Sequence, residues 1–136
     1  MEKNIGFLGK CKELAKQAKD KGESPVGSVV VLNGAIIGQA FENTKGNNDI
    51  TQHAEILAIK DAIAKGNKAK LKNSTLYSTH EPCFMCSYVI RHHKISTIIY
   101  QKDVVSVGGI NSEFKVLLSE TNPAWGEPPA ILKLSD

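Results

Sequence analysis

Two short runs hold residue types that can do chemistry together: Gln52-His53-Ala54-Glu55 and, later in the chain, Thr79-His80-Glu81-Pro82-Cys83-Phe84-Met85-Cys86. Cys83 and Cys86 have the i, i+3 spacing that stacks two side chains on one helix face. Pro82 suits the first helical position, where its missing N–H costs nothing. Both thiols then project from a helix N-terminus, whose positive dipole end favours thiolate over thiol. Two thiolates and one imidazole form a ligand set suited to Zn²⁺, with a fourth position left for water. His53 and Glu55 are two apart, so on the side of a helix they diverge. They converge only where the helix meets the site end-on. A zinc between two helix tips satisfies both spacings: His53, Cys83 and Cys86 hold one ion per chain, and Glu55 stands beside the water, able to take and return its proton.

Blander readings of the same residues exist. A Cys-x-x-Cys pair also serves as a redox couple or as half of a structural zinc site. A structural site closes with four protein ligands. The only other thiol, Cys11, falls on the apolar stripe of the first helix and reads as a small core residue. The ligand count therefore points to an open, catalytic zinc.

His53-Ala54-Glu55 followed by Pro82-Cys83-Phe84-Met85-Cys86 resembles the signature of the zinc-dependent nucleobase deaminases, the cytidine deaminase-like superfamily. Pro25-Val26-Gly27-Ser28-Val29, Asn43, Asp49 and Leu76-Tyr77-Ser78-Thr79 stand where bacterial guanine deaminases and tRNA adenosine deaminases have similar runs. The resemblance reaches Tyr100 and fades beyond it. It implies an α/β protein with the three-layer α/β/α cytidine deaminase-like fold, a mixed central sheet with helices on both faces. It also implies hydrolytic deamination of a base, with Glu55 as catalytic proton carrier and Asn43, Val26, His80 and Glu81 as substrate-binding residues. Asn43 has the competing reading of a turn former. Related enzymes are homodimers whose C-terminal segments or neighbouring subunits close the pocket, so Trp125 is either a lid or a ring packed on its own domain.

Ala54 between His53 and Glu55, and Glu81 before Pro82-Cys83, resemble purine-acting members. Gln52, His80 and Ile50 differ from the usual guanine-deaminase neighbours. A free purine base such as guanine leads. The wobble adenosine of tRNA stands second, because the tRNA enzymes usually continue into a longer basic C-terminal helix. A cytosine base, cytidine or deoxycytidylate is third. The reading of a different class is a zinc-bound scaffold or RNA-binding module, for which Glu55 would be superfluous.

The elements that must position these residues follow from periodicity. Leu8, Cys11, Leu14, Ala15 and Ala18 give an amphipathic helix over Ile5–Lys21, closed by Gly22. Val26–Leu32 is a β-branched run suited to a strand buried on both sides, and Asn33-Gly34 turns it into a returning strand, Ala35–Phe41. A polar loop from Glu42 to Thr51 follows, and Asp49 or Thr51 is placed to cap a helix with Ile56, Ile59 and Ile63 inward. Lys60, Lys65, Lys68, Lys70 and Lys72 around Gly66-Asn67 read as a solvated face. Ser74–Thr79 is the strand that delivers the cysteine helix, whose Met85, Val89 and Tyr88 face inward and whose end carries His92, His93 and Lys94. Ile95–Tyr100 is the last strand, parallel to the one before it. Residues 101–136 read as irregular, with a short helix over Ser112–Ser119 and with Pro123, Pro128 and Pro129 barring a regular helix through Trp125.

The bulk composition sets limits around this. At 136 residues the chain is one domain by length. With 41% apolar and 23% charged residues it has an ordinary globular composition, and its net charge of +3 permits nucleic-acid contact without requiring it. The N-terminus lacks a signal-like apolar run, and Val26–Gly38 is broken by Asn33-Gly34, so no membrane segment is expected. Three cysteines with two assigned to metal leave no disulfide framework, which fits a reducing cytoplasm.

Overall fold

The chain folds around a five-stranded sheet in the order β2-β1-β3-β4-β5, in a computed structural model that describes residues 1–135. The strands are β1 (Gly27–Leu32), β2 (Ala35–Phe41), β3 (Thr75–His80), β4 (Thr97–Lys102) and β5 (Ala130–Lys133); the helices are α1 (Glu2–Asp20), α2 (Ala54–Ala64) and α3 (Phe84–His92). β1 pairs antiparallel with both β2 and β3, whereas β3, β4 and β5 run parallel. The sheet is therefore mixed, as expected. Among the described residues no helix is long and apolar enough to cross a membrane.

Side-chain alternation along the strands separates two cores. Val29, Val31, Tyr77 and Ile99 point to one face and meet Leu8, Cys11 and Leu14 of α1. Val30, Leu76 and Ile98 point to the other and meet Ala58, Ile59 and Ala62 of α2 and Ile90 of α3. This gives the three layers. Cys11 is fully buried, and burial pushes its thiol up to about 12, so it is the inert core residue expected.

Glycine appears where helices touch the sheet. A Cβ on Gly27 would strike the Cys11 carbonyl of α1, and one on Gly38 would strike the Ala58 carbonyl of α2. The hairpin turn has φ 51° at Asn33 and 80° at Gly34, the left-handed pair that a type I′ turn demands. α1 ends in a Schellman arrangement: Gly22, at φ 82°, donates to Lys19 O, and Glu23 N–H donates to Ala18 O. That geometry carries Glu23 inward, where its carboxylate accepts the N–H groups of Lys45 and Gly46 at 2.9 and 2.6 Å and ties down the loop after β2.

Several expectations need correction. α2 starts at Ala54 with His53 as its N-cap, so neither Asp49 nor Thr51 caps it. Asp49 instead accepts from Thr51, two residues on, in a turn of its own. The Ala54 N–H goes to the carboxylate of Glu42 at 2.9 Å. α3 starts at Phe84, with Cys83 as N-cap and Pro82 outside the helix. Its inward face is Cys86, Ser87, Ile90 and Arg91; Met85 and Val89 are half-buried, and Tyr88 is exposed. Arg91 is buried because its guanidinium donates to the carbonyls of Val116, Ser119 and Gly126, and it lies 5.0 Å from the Trp125 ring. Trp125 thus packs on its own domain, edge-on to Tyr88. The helix expected over Ser112–Ser119 is a single turn, Val116–Leu118. β5 was not legible: it is four residues long, follows Pro128-Pro129 and lacks an apolar alternation.

Because backbone and not a flexible side chain faces Gly38, Gly38→Ala should cost about 1–3 kcal/mol of stability. Gly9→Ala in α1, with nothing within 4 Å of the new methyl, should leave stability unchanged or raise it by up to about 1 kcal/mol. Urea unfolding midpoints of the two variants check this pair.

Candidate active site

The first turns of α2 and α3 meet at the C-terminal end of β3. His53 and Cys83 are the N-cap residues of the two helices, both in extended conformation, and Cys86 lies in the first turn of α3. The end-on approach inferred from the spacing of His53 and Glu55 is what the helices adopt. Cys83 Sγ and Cys86 Sγ are 3.7 Å apart, and His53 Nδ1 lies 3.5 and 3.4 Å from them. A tetrahedral zinc with ordinary Zn–S and Zn–N bonds requires sulfurs about 3.8 Å apart and S···N separations of about 3.5 Å. The three donors fit that ion within 0.2 Å, and three protein ligands leave one position open.

Glu55, in the same first turn as the helix start, is 4% exposed. The Ser78 hydroxyl donates to its Oε2 at 3.2 Å, while Oε1 lies 4.0 Å from Cys86 Sγ. Burial, with the negative charges of Glu42 and Cys83 nearby, lifts its carboxyl to about 7. Burial likewise raises Glu42, although the Ala54 N–H opposes it. Without an ion, the Cys86 thiol and the His53 ring hold Cys83 down to about 4. The bond to Cys83 lifts His53 to about 9 and, with burial, pushes Cys86 well above its usual range. The metal-free cluster at neutral pH is thus an imidazolium, a thiolate and a thiol.

A cleft of about 200 Å³ opens over these groups, with Val26, His80, Glu81 and Val107 among its walls. His80 Nδ1 lies 2.9 Å from Thr79 Oγ1, and burial, then the charge of Lys102, lowers its pKa. Glu81 borders the cleft, but its carboxylate turns away from it. It accepts from Val104 N, Ile110 N, Asn111 N and Asn111 Nδ2 at 2.8–3.0 Å, and Gly108 packs so closely that a Cβ there would strike it. The loop fixed this way reaches back to the zinc helix: Val107 O accepts the Phe84 N–H and Pro82 O accepts the Gly109 N–H, both at 2.8 Å. Asn43 stands apart from the cleft walls. Its backbone pairs with Gln52 and Asn47, and it borders a neighbouring hollow with Phe41 and Leu57.

Sequence reasoning missed three contributors. Glu42 was read as loop, and its partner Ala54 is twelve residues away, beyond any capping motif. Ser78 carried a signal, a hydroxyl in the middle of a buried strand. The 103–111 loop, which supplies Val104 and Val107 to the cleft, carried none.

Comparison with known proteins agrees with this geometry. The family model for the cytidine and deoxycytidylate deaminase zinc-binding region matches residues 1–102. The tRNA-specific adenosine deaminase of Aquifex aeolicus is 40% identical over 111 residues, spanning 82% of this chain and 74% of that protein. That of Streptococcus pyogenes serotype M1 is 33% identical over 120 residues, spanning 88% and 70%. A solved structure from work on A-to-I editing by tRNA:A34 deaminases at the wobble position of transfer RNA superposes with a TM-score of 0.85 at 29% identity, covering 95% of this chain and 91% of its own. Guanine deaminase from Bacillus subtilis superposes with a TM-score of 0.69 at 25% identity, covering 97% and 85%.

Ligands must lose their protons to bind a metal. Loading the metal-free protein with Zn²⁺ at pH 7 should therefore release about two protons, from His53 and Cys86, and affinity should fall as the pH drops. Above the raised value of His53 the release should be smaller. Titration calorimetry in buffers of different ionisation heat reads the count, and no release at pH 7 would contradict the ligand set.

Proposed function

The chain belongs to the family of cytidine and deoxycytidylate deaminase zinc-binding domains, and from that membership we propose that it converts adenosine to inosine at the wobble position of a transfer RNA. The reaction class is the family's own: zinc-dependent hydrolysis of a carbon–nitrogen bond. The observation that carries the finer reading is the 40% identity to a tRNA-specific adenosine deaminase across 82% of this chain. The guanine deaminase likeness is weaker in both identity and superposition. This reverses the order expected from the motifs, where a free purine led. The cleft volume of about 200 Å³ is below the ~300–1,000 Å³ of drug-sized sites, so it takes a base and leaves the rest of a nucleotide outside.

His53, Cys83 and Cys86 would hold a Zn²⁺, which would supply Lewis acidity able to bring the pKa of a water down to about 7. Glu55 moves the protons. Its carboxyl, raised by burial, is suited both to accept and to donate a proton. It carries the first proton of the attacking water to N1 of adenine as the oxygen joins C6. It carries the second to the exocyclic nitrogen as the C6–N bond breaks and ammonia leaves. N1–H and the new C6 oxygen are then those of inosine. Ser78 holds Oε2 so that the carboxyl keeps one orientation through both transfers. Val26 and His80 contact the base in this reading, Glu81 acts through the wall it fixes, and Asn43, outside those walls, meets substrate that extends over the neighbouring hollow. A homodimer working in the cytoplasm completes the picture. A free purine such as guanine is the second reading, resting on the guanine deaminase superposition.

Glu55→Gln should keep one zinc per chain and lower inosine formation in a tRNA anticodon stem-loop by at least about 10²–10⁴-fold. Mass spectrometry of the digested RNA reads this. If the wild-type protein releases ammonia from guanine and forms no inosine, the second reading replaces the first.

A further inference from the structure

His80 belongs to two hollows. Besides the zinc cleft it lines a groove of about 490 Å³ between α1 and the C-terminal ends of β3 and β4. Lys12, Lys16 and Lys19 of α1 and Lys102 of β4 border that groove, and among the described residues Asp20 is the one carboxylate lining it. The three helix lysines follow i, i+4, i+7 spacing, so they form a row about 10 Å long on one face. Lys102 is the register partner of His80 across the parallel β3–β4 pair, so the opposite bank reaches the mouth of the zinc cleft. All four lysines are exposed, and the Lys16–Asp20 pair, with side chains 77% and 63% exposed, is weak enough to be exchanged for another anion. The other lysines, Lys65, Lys68, Lys70, Lys72 and Lys94, lie where α2 and α3 end and β3 and β4 begin, at the far end of the sheet from the helix starts that carry the zinc ligands.

We propose that this groove carries the RNA backbone on one side of the reactive nucleotide, with phosphates over Lys12, Lys16, Lys19 and Lys102 and the base turning past His80 into the cleft. The proposal rests on the reading of the substrate as RNA. A base presented to the zinc site must leave its stack, and the flanking backbone must pass the cleft mouth. A free base brings no phosphate and has no use for a row of cations leading to the site. A polyanion gains from it by counterion release.

The test compares three proteins as zinc-loaded full chains: wild type, Lys12→Ala/Lys16→Ala/Lys19→Ala/Lys102→Ala, and the control Lys65→Ala/Lys68→Ala/Lys70→Ala/Lys72→Ala. Binding and deamination of an anticodon stem-loop are measured over a salt series. The groove variant should bind at least about tenfold more weakly, with a raised KM, an unchanged kcat at saturating RNA, and a slope of log K against log salt reduced by about 0.7 for each lost phosphate contact. The control should match wild type. The paired variants Lys16→Ala/Lys19→Ala and Lys12→Ala/Lys102→Ala, each checked for one zinc per chain, should show intermediate losses and guard against a folding artefact. Wild-type affinity and slope in the groove variant, or equal losses in the control, would overturn the groove while leaving tRNA deamination standing. A wild-type protein that releases ammonia from a free purine and neither binds nor deaminates the stem-loop would remove the RNA reading, and the groove with it.

Discussion

Two sulfurs and a ring nitrogen are held 3.4–3.7 Å apart because two helices begin where they do. With no cation present the three donors share protons: the His53 ring and the Cys83 sulfur favour each other's charged form, and Cys86 is pushed toward its thiol. The ion-sized gap lies where the two helices start. It is imposed by backbone. β3 brings the chain to Cys83, and the stacked N-termini of α2 and α3 place His53 against it.

Each helix start is secured by a group distant in sequence. Glu42 accepts the Ala54 N–H and so fixes where α2 begins, directly after the ligand His53. Val107 O accepts the Phe84 N–H and fixes where α3 begins. Val107 is in turn held by a loop whose N–H groups converge on Glu81. Two buried carboxylates that touch no ligand atom thus hold the metal geometry, while a third, Glu55, is left with one oxygen bonded to Ser78 and one facing the cluster. The division of labour follows from hydrogen bonding. Glu81 meets four donors, whereas Glu55 meets few and keeps a carboxyl able to exchange protons near neutrality.

What could be read from the sequence was what depends on near neighbours. The ligand set, the end-on geometry of His53 and Glu55, the Asn33-Gly34 hairpin and the double-sided burial of β1 all follow from spacings of a few residues. The parallel pairing of β3 and β4 followed from a helix crossover. What could not be read depends on contacts across the chain. Glu81 reaches Ile110 over 29 residues, and Arg91 reaches Gly126 over 35. Arg91 would pass as a solvated helix residue until the carbonyls that receive it are known, and its burial rotates α3 so that Tyr88 faces out. β5 is an edge strand chosen by the open side of β4, not by its own composition. Substrate preference was equally non-local, because Ala54 and Glu81 speak of purines without saying whether a ribose and phosphates come attached.

All of this depends on one zinc held by a single imidazole and two thiolates, with a position left for solvent. X-ray absorption at the zinc edge of the purified protein tests it directly. The expected spectrum shows two sulfurs at about 2.3 Å and two lighter atoms at about 2.0–2.1 Å, one of them exchangeable with added anions. Four protein ligands, a third sulfur, or a protein that stays folded and binds no stoichiometric zinc would rule this site out.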